Sequence, residues 1–241
     1  MDKPLTLVEH LNELRKRIII SLIALGIATI GSLAFSSRLL EVLKLPAKGA
    51  IEKLAFFSPE EAFLIYMRIA FLSGFVISMP VILYEFWAFI SPAIENRLRR
   101  HATSFILFCS LAFIIGGLFA YFILIPPALK FLLGFAKDQL QPVISASKYI
   151  SFVISLILGS GLVFQMPVLS FILTKLGIIN AQILRKKYKY AIIVIFVIAA
   201  IITPTPDAFN MLILACPMLF LYELSIWVSF LVKRKGGKDH V

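Results

Sequence analysis

Charge is scarce in this chain. Only 15% of its 241 residues are Asp, Glu, Lys or Arg, against 60% hydrophobic residues, whereas an ordinary soluble domain carries roughly 25% charged residues. The shortage excludes a soluble globular domain. Cysteine is nearly missing: Cys109 and Cys216 both fall inside apolar blocks. Neither has a partner at metal-ligand spacing, so they read as small buried hydrophobes. The three histidines, His10, His101 and His240, lie in polar segments. There is no GxxxxGK[ST] sequence, no Gly-rich loop between strand and helix, and no triad-like grouping of Ser, His and Asp. Neither an ATPase nor a hydrolase is expected; the chain reads as no enzyme, with no cofactor and no metal. No internal repeat, low-complexity tract or separate soluble domain is present either. The missing repeat argues against a small-solute transporter or channel, where inverted repeats are common.

What the sequence does have is apolar length. Six blocks cover residues 18–35, 69–90, 104–125, 149–173, 190–202 and 208–221. The first four suit a bilayer core of ~30 Å, and only helices satisfy every backbone group inside lipid. The last two reach only ~20 Å at 1.5 Å per residue, and we read them as two short crossings with the bilayer thinned or the helix ends snorkelling, against the alternative of a pair that dips in and returns. The expected fold is all-α: one polytopic membrane domain, 1–241, of six transmembrane helices with the last two short.

Basic residues set the expected orientation. Lys3, Arg15, Lys16 and Arg17 precede the first block; Arg97, Arg99 and Arg100 follow the second. Lys175, Arg185, Lys186, Lys187 and Lys189 follow the fourth, and Lys233, Arg234, Lys235 and Lys238 end the chain. The opposite side holds fewer basic residues, diluted by Glu41, Glu52, Glu60, Glu61 and Asp138. By the positive-inside rule both termini are cytoplasmic. Residues 1–17 form a cytosolic helix, 91–103 and 174–189 cytosolic loops, 233–241 a cytosolic tail, and 36–62 and 126–148 outer loops. Four juxtamembrane clusters in place of one stripe argue against a nucleic-acid partner. The first block exceeds a signal-peptide h-region of 7–15 residues and lacks a clear cleavage site, so it reads as a retained span.

Several polar positions stand out. Thr6 and Glu9 are spaced as a capping box, opening a helix with His10, Glu13 and Arg17 on one face. Ser58-Pro59-Glu60-Glu61 reads as a second helix start, Ser58 as N-cap and Pro59 at the first helical position. Pro126-Pro127 is expected to stop the third span. Charges at membrane depth cost at least ~2.5–3.5 kcal/mol, which draws attention to Glu85, Asp207 and Glu223. Glu85 and Glu223 lie near cytosolic ends and have headgroup contact as an alternative; Asp207 has helix capping. Gln165, two residues before Pro167, is expected to point at a protein partner or a wet recess, against the alternative of helix-helix glue. Gly116-Gly117 and Gly159-Ser160-Gly161 read as close helix contacts, and Arg68 as a snorkelling residue.

His10-Leu-Asn-Glu13-Leu-Arg15-Lys-Arg17 before the first span resembles the N-terminal HLxELRxR signature of the TatC family. The similarity continues through Phe57-Ser-Pro59-Glu-Glu61-Ala-Phe63 and is strongest at Pro80-Val-Ile-Leu-Tyr-Glu85-Phe-Trp87-Ala-Phe89-Ile-Ser-Pro92-Ala. It also takes in Phe119-Ala-Tyr121-Phe, Tyr149-Ile-Ser-Phe152, Arg185-Lys-Lys187, Thr203-Pro-Thr-Pro206-Asp207 and Tyr222-Glu223. These eight motifs run in family order over essentially the whole chain.

The resemblance implies a receptor subunit of the twin-arginine protein translocase. Such a subunit binds paired-arginine signal peptides and assembles with single-span TatA- and TatB-type partners, and with further copies of itself, to export folded proteins on the proton-motive force. The expected location is the bacterial inner membrane. The implied signal-binding residues are His10, Glu13, Arg15, Arg17, Phe89, Pro92, Glu95, Arg99 and Arg100. Gln165, Glu85, Asp207 and Glu223 would serve partner docking, and Pro46, Ser58, Pro59, Glu61 and Phe63 the outer loop. Glu13 is the natural carboxylate for one arginine, with an ion pair to Arg17 as the structural alternative. Two departures from the family pattern matter. Leu98 stands where a second Glu usually precedes the paired arginines, with Glu95 one turn earlier as a substitute. Gln165 and Glu85 replace a frequent Glu and a common Gln. The expected assembly is curved around a polar recess near Gln165. A scaffold without a signal site, or a small-solute transporter, is the rival reading.

Overall fold

The structure, a computed structural model, describes residues 7–48, 54–91, 102–134, 143–203 and 207–236. The capping-box residue Thr6, the loop 92–101 and Pro204-Thr205-Pro206 lie outside them. The first helix, α1 (Leu7–Leu33), is uninterrupted. It carries the His10–Arg17 face straight into the first span, because no proline breaks the ladder between them. A short helix, α2 (Ser36–Lys44), and a 3-10 turn at Leu45–Ala47 containing Pro46 follow at the distal end. A two-residue strand, β1 (Leu54–Ala55), leads to α3 (Pro59–Ile90), 32 residues long.

The start of α3 falls where the sequence places it. Ser58 is the extended N-cap and Pro59 takes the first helical position, where its missing N–H costs nothing. The Ser58 side chain makes no cap bond to the helix backbone. The Glu61 carboxylate instead accepts the N–H of Phe57 at 2.9 Å.

The third span departs from expectation. It begins as α4 (Ala102–Phe119), widens into a π turn at Ala120–Leu124 and continues as α5 (Ile125–Gly134). Pro126-Pro127 therefore does not stop it. The prolines follow directly on the π turn, whose wider loop takes up the ladder bonds that they cannot make, so the helix runs on. Strand β2 (Ile144–Ser145) then pairs in parallel with β1, Leu54 opposite Ile144 and Ala55 opposite Ser145. This small ladder joins the two distal loops and is an addition to the all-α expectation.

The fourth span is α6 (Ala146–Val163), a turn at Phe164-Gln165, and α7 (Met166–Lys175). Gly177, at φ 73°, follows α7 in the left-handed conformation that glycine adopts without steric cost. Asn180 caps α8 (Ala181–Lys186) by accepting the Ile183 N–H at 2.8 Å. The fifth span, α9 (Tyr188–Ile202), has 15 residues and is short as expected. The sixth is not. Helix α10 (Ala208–Gly236) runs for 29 residues, through Pro217 and past Glu223. Its apolar run pauses at a charged residue that has a partner, so the helix does not end there.

Five of the spans are long and apolar enough to cross a membrane, with α9 as the shorter sixth. Ile27, Ile30, Leu107, Phe122 and Ile201 face outward, as lipid-facing side chains of a polytopic membrane protein do. Inside, small residues let backbones approach. A Cβ on Gly116 would lie 2.7 Å from the Ser160 carbonyl and 2.9 Å from the Gly161 Cα, so α4 and α6 touch through both glycine motifs. Cys109 is fully buried as expected, but Cys216 is exposed on the outer face of α10. At the distal end, Tyr121 donates to the Val42 carbonyl and Tyr149 to the Leu43 carbonyl, both at 2.7 Å. Two motif tyrosines thereby fasten α2 across the spans.

Candidate functional site

The richest polar cluster lies between the start of α1 and the end of α3. Helical spacing puts Glu13 and Arg17 one turn apart on the face of α1 that packs on α3. Arg17 Nη1 donates to Glu85 Oε2 at 2.8 Å, and Nη2 donates to Glu13 Oε1 at 3.3 Å. Burial separates the two carboxylates: the Glu85 side chain is 8% exposed, Glu13 25% and Arg17 27%. One turn toward the N-terminus, the His10 ring stacks on Phe89, centroids 4.4 Å apart and 19° between planes. Ion cluster and stacked pair form one continuous seam.

An apolar groove of about 320 Å³ opens from this seam. Leu14, Ile18, Leu22 and Leu25 of α1 line one wall; Phe75, Ile82, Phe86 and Phe89 of α3 line the other, with Arg17, Ser21 and Glu85 as the polar part of the lining. The arrangement can take a cationic group beside the two carboxylates and an apolar segment along the helices. Arg15 is exposed. Pro92, Glu95, Arg99 and Arg100 lie outside the described residues, as does Leu98.

The other singled-out positions do not converge on one recess. Gln165 forms the turn between α6 and α7, and its Nε2 donates to the Cys109 carbonyl of α4 at 3.0 Å. The amide thus joins two helices, and Glu85 sits with Arg17 rather than beside it. The nearby groove, about 390 Å³, is lined by Trp87, Phe105, Phe108, Pro167, Val168 and Phe171, with Ser104 as its polar member. The expected polar recess at Gln165 is replaced by an apolar groove at Pro167. Asp207 precedes α10 as its cap: its carboxylate accepts the Asn210 N–H at 2.8 Å and the Asn210 amide at 3.0 Å. Glu223 accepts Arg185 at 3.0 Å, joining two of the sequence motifs across α8 and α10, and Tyr222 donates to the Leu184 carbonyl at 2.8 Å.

At the distal end Pro46 is half-buried in its 3-10 turn, Ser58, Pro59 and Glu61 build the start of α3, and Phe63 is exposed. Sequence reasoning missed two links. Arg68 does not simply reach out to headgroups: it donates to Ser147 at 3.1 Å and also to Ser151. Arg17 and Glu85 were each singled out but not joined. Opposite charges near the same end of helices adjacent in the chain were the available signal. Among the described residues, no cluster of His, Cys, Asp and Glu is arranged to hold a metal.

Comparison with known proteins covers nearly the whole chain. A family model described as "Sec-independent protein translocase protein (TatC)" matches residues 9–217. The TatC of Carboxydothermus hydrogenoformans is 40% identical over 234 residues, 97% of this chain and 96% of that protein. The TatC of Aquifex aeolicus is 42% identical over 233 residues, 95% of this chain and 96% of that one. A crystal structure described as the twin-arginine translocase receptor TatC superposes with a TM-score of 0.85 at 41% identity, covering 94% of this chain and 100% of that one.

Proposed function

Because the chain belongs to the TatC family of Sec-independent protein translocase proteins, we propose that it reads the paired arginines of signal peptides at the α1–α3 seam, with Glu13 as the receiving carboxylate. As a member of that family it is a polytopic transport protein of the membrane, a receptor subunit of the twin-arginine translocase. The observation that carries the finer reading is the Glu13–Arg17–Glu85 cluster, whose Arg17 and Glu85 also line an apolar groove. A guanidinium is held best by carboxylates in paired hydrogen bonds, which the compact ammonium of lysine cannot copy. Glu13 is the more exposed of the two carboxylates and makes the longer bond to Arg17, so it is the one available to a visitor. The apolar stretch behind the arginines fits the Leu, Ile and Phe walls of α1 and α3. Binding and positioning do the work; no covalent step is involved.

The distribution of Lys and Arg supports cytoplasmic termini and hence a signal-reading seam on the cytoplasmic face of a bacterial inner membrane. Single-span TatA- and TatB-type partners are proposed to dock along the apolar groove beside Pro167 and along α9 and α10. Export would then draw on the proton-motive force, as in the family.

The test uses the full chain purified in detergent. A signal peptide with Arg-Arg should bind about tenfold tighter or better than the same peptide with Lys-Lys, a difference of ~1.4 kcal/mol or more. Glu13→Ala should abolish that preference. Equal binding of both peptides by the unaltered chain overturns the reading.

A further inference from the structure

We propose that Glu85 is a positioning residue of the arginine-reading site: it holds Arg17 so that Glu13 can release it to an incoming guanidinium. The inference rests on the receptor reading given above. Arg17 is an internal arginine already seated beside the carboxylate that a signal arginine needs, and so it competes with the signal. Two carboxylates share it unequally. The bond to Glu85 is 2.8 Å and the bond to Glu13 is 3.3 Å.

Burial decides which bond yields. The Glu85 side chain is only 8% exposed, and a buried carboxylate stripped of its cation is left uncompensated at high cost. Glu13 is a quarter exposed, so water or a visiting guanidinium can take the place of Arg17 there. Among the described residues the buried Arg17 Nε has no acceptor, so Arg17 is held through Nη1 and Nη2 alone. Exchange therefore swaps one guanidinium for another at Glu13 while Arg17 stays on Glu85. Charge agrees with geometry. Two carboxylates facing one guanidinium offset part of the positive field of Arg15 and Lys16 beside them and leave acceptor capacity for a second cation. Without the Glu85 charge the cluster would be neutral, and Arg17 would close on Glu13.

Binding of the Arg-Arg and Lys-Lys peptides to the purified chain would be measured for four proteins: unaltered, Glu13→Ala, Glu85→Gln, and the double variant Glu85→Gln/Arg17→Gln. Melting in detergent would accompany each to verify folding. Glu85→Gln should weaken Arg-Arg binding about tenfold, the scale of one charge-assisted bond. The double variant should bind Arg-Arg more tightly than Glu85→Gln does, because it removes the competitor and leaves no unpaired buried charge. A merely structural role for Glu85 predicts the reverse, since losing both partners cannot repair packing. If Glu85→Gln binds as the unaltered chain does, the proposal is overturned. It is equally overturned if the double variant binds about tenfold or more weakly, even where Glu85→Gln does not fold. An unaltered chain that does not prefer Arg-Arg removes the receptor reading itself, and this inference with it.

Discussion

Arg17 and Arg185 each donate to a glutamate, at 2.8 and 3.0 Å, yet the two pairs do different things. Glu223 is 37% exposed and Arg185 71%, so the pair sits in high dielectric and contributes roughly 0.2–1 kcal/mol. Glu223→Gln should leave the melting midpoint of the purified chain almost unmoved. Arg17→Gln should not, because it strands the carboxylate of Glu85. Discounting for the quarter-exposed arginine, the loss is about 2 kcal/mol, below the 3–5 typical of a fully buried pair. The contrast is read by melting both variants in one detergent, and equal shifts would refute it. The tyrosines make a related point. Tyr121 and Tyr149 stand in motifs of the sequence, but only the fold reveals that both hydroxyls are spent on carbonyls of α2.

At the scale of elements, α9 is the one span whose length is out of line. Its 15 residues reach ~22 Å at 1.5 Å per residue, and a bilayer next to it has to thin or the flanking residues have to reach. If that thinning lowers the barrier for a folded cargo, one added turn in α9 should reduce export of a folded reporter roughly tenfold, given ~6 Å of lost mismatch. Periplasmic arrival of the reporter in cells measures this, and unimpaired export would count against a thinning role. The shortness of α9 was legible because Pro204 and the basic run 185–189 bracket it in the sequence. The full length of α10 was not, since Glu223 looks like an end until Arg185 is seen beside it. Pro126-Pro127 misled in the same way, because a π turn leaves no mark in the pattern of apolar residues. The candidate site was half legible. His10, Glu13 and Arg17 share a face by helical spacing alone, but Glu85 and Phe89 join them only through the pairing of two helices, which a single sequence does not encode as a pattern.

For the molecule as a whole, α1 is the least integrated span, with 6% of its most apolar window buried against 50% for the fourth span. It is strapped to α3 by the Arg17–Glu85 bond near its start and by the approach of Thr29 to Gly74 further along. A Cβ at Gly74 would fall within 2.6 Å of the Thr29 backbone N and Cα. Gly74→Ala should therefore force the helices apart and cost about 1–3 kcal/mol. Gly26→Ala on α1, with nothing within 4 Å, should be neutral or stabilising by up to ~1 kcal/mol. Melting midpoints of the two variants decide the matter, and equal destabilisation would show that the close contact is not a strap.

The pairing of α1 with α3 sets a timetable for biogenesis. Arg17 and Glu85 are 68 residues apart in sequence, and a ribosome adding about 5–20 residues per second needs roughly 3–14 s to cover that distance. For those seconds the nascent first helix rests in the bilayer with only Glu13 of its own chain to pair its arginine, a solitary anchor waiting for the second hairpin arm. The seam that receives the signal comes into being only when that arm arrives, so a chain released before it holds a span but no receptor.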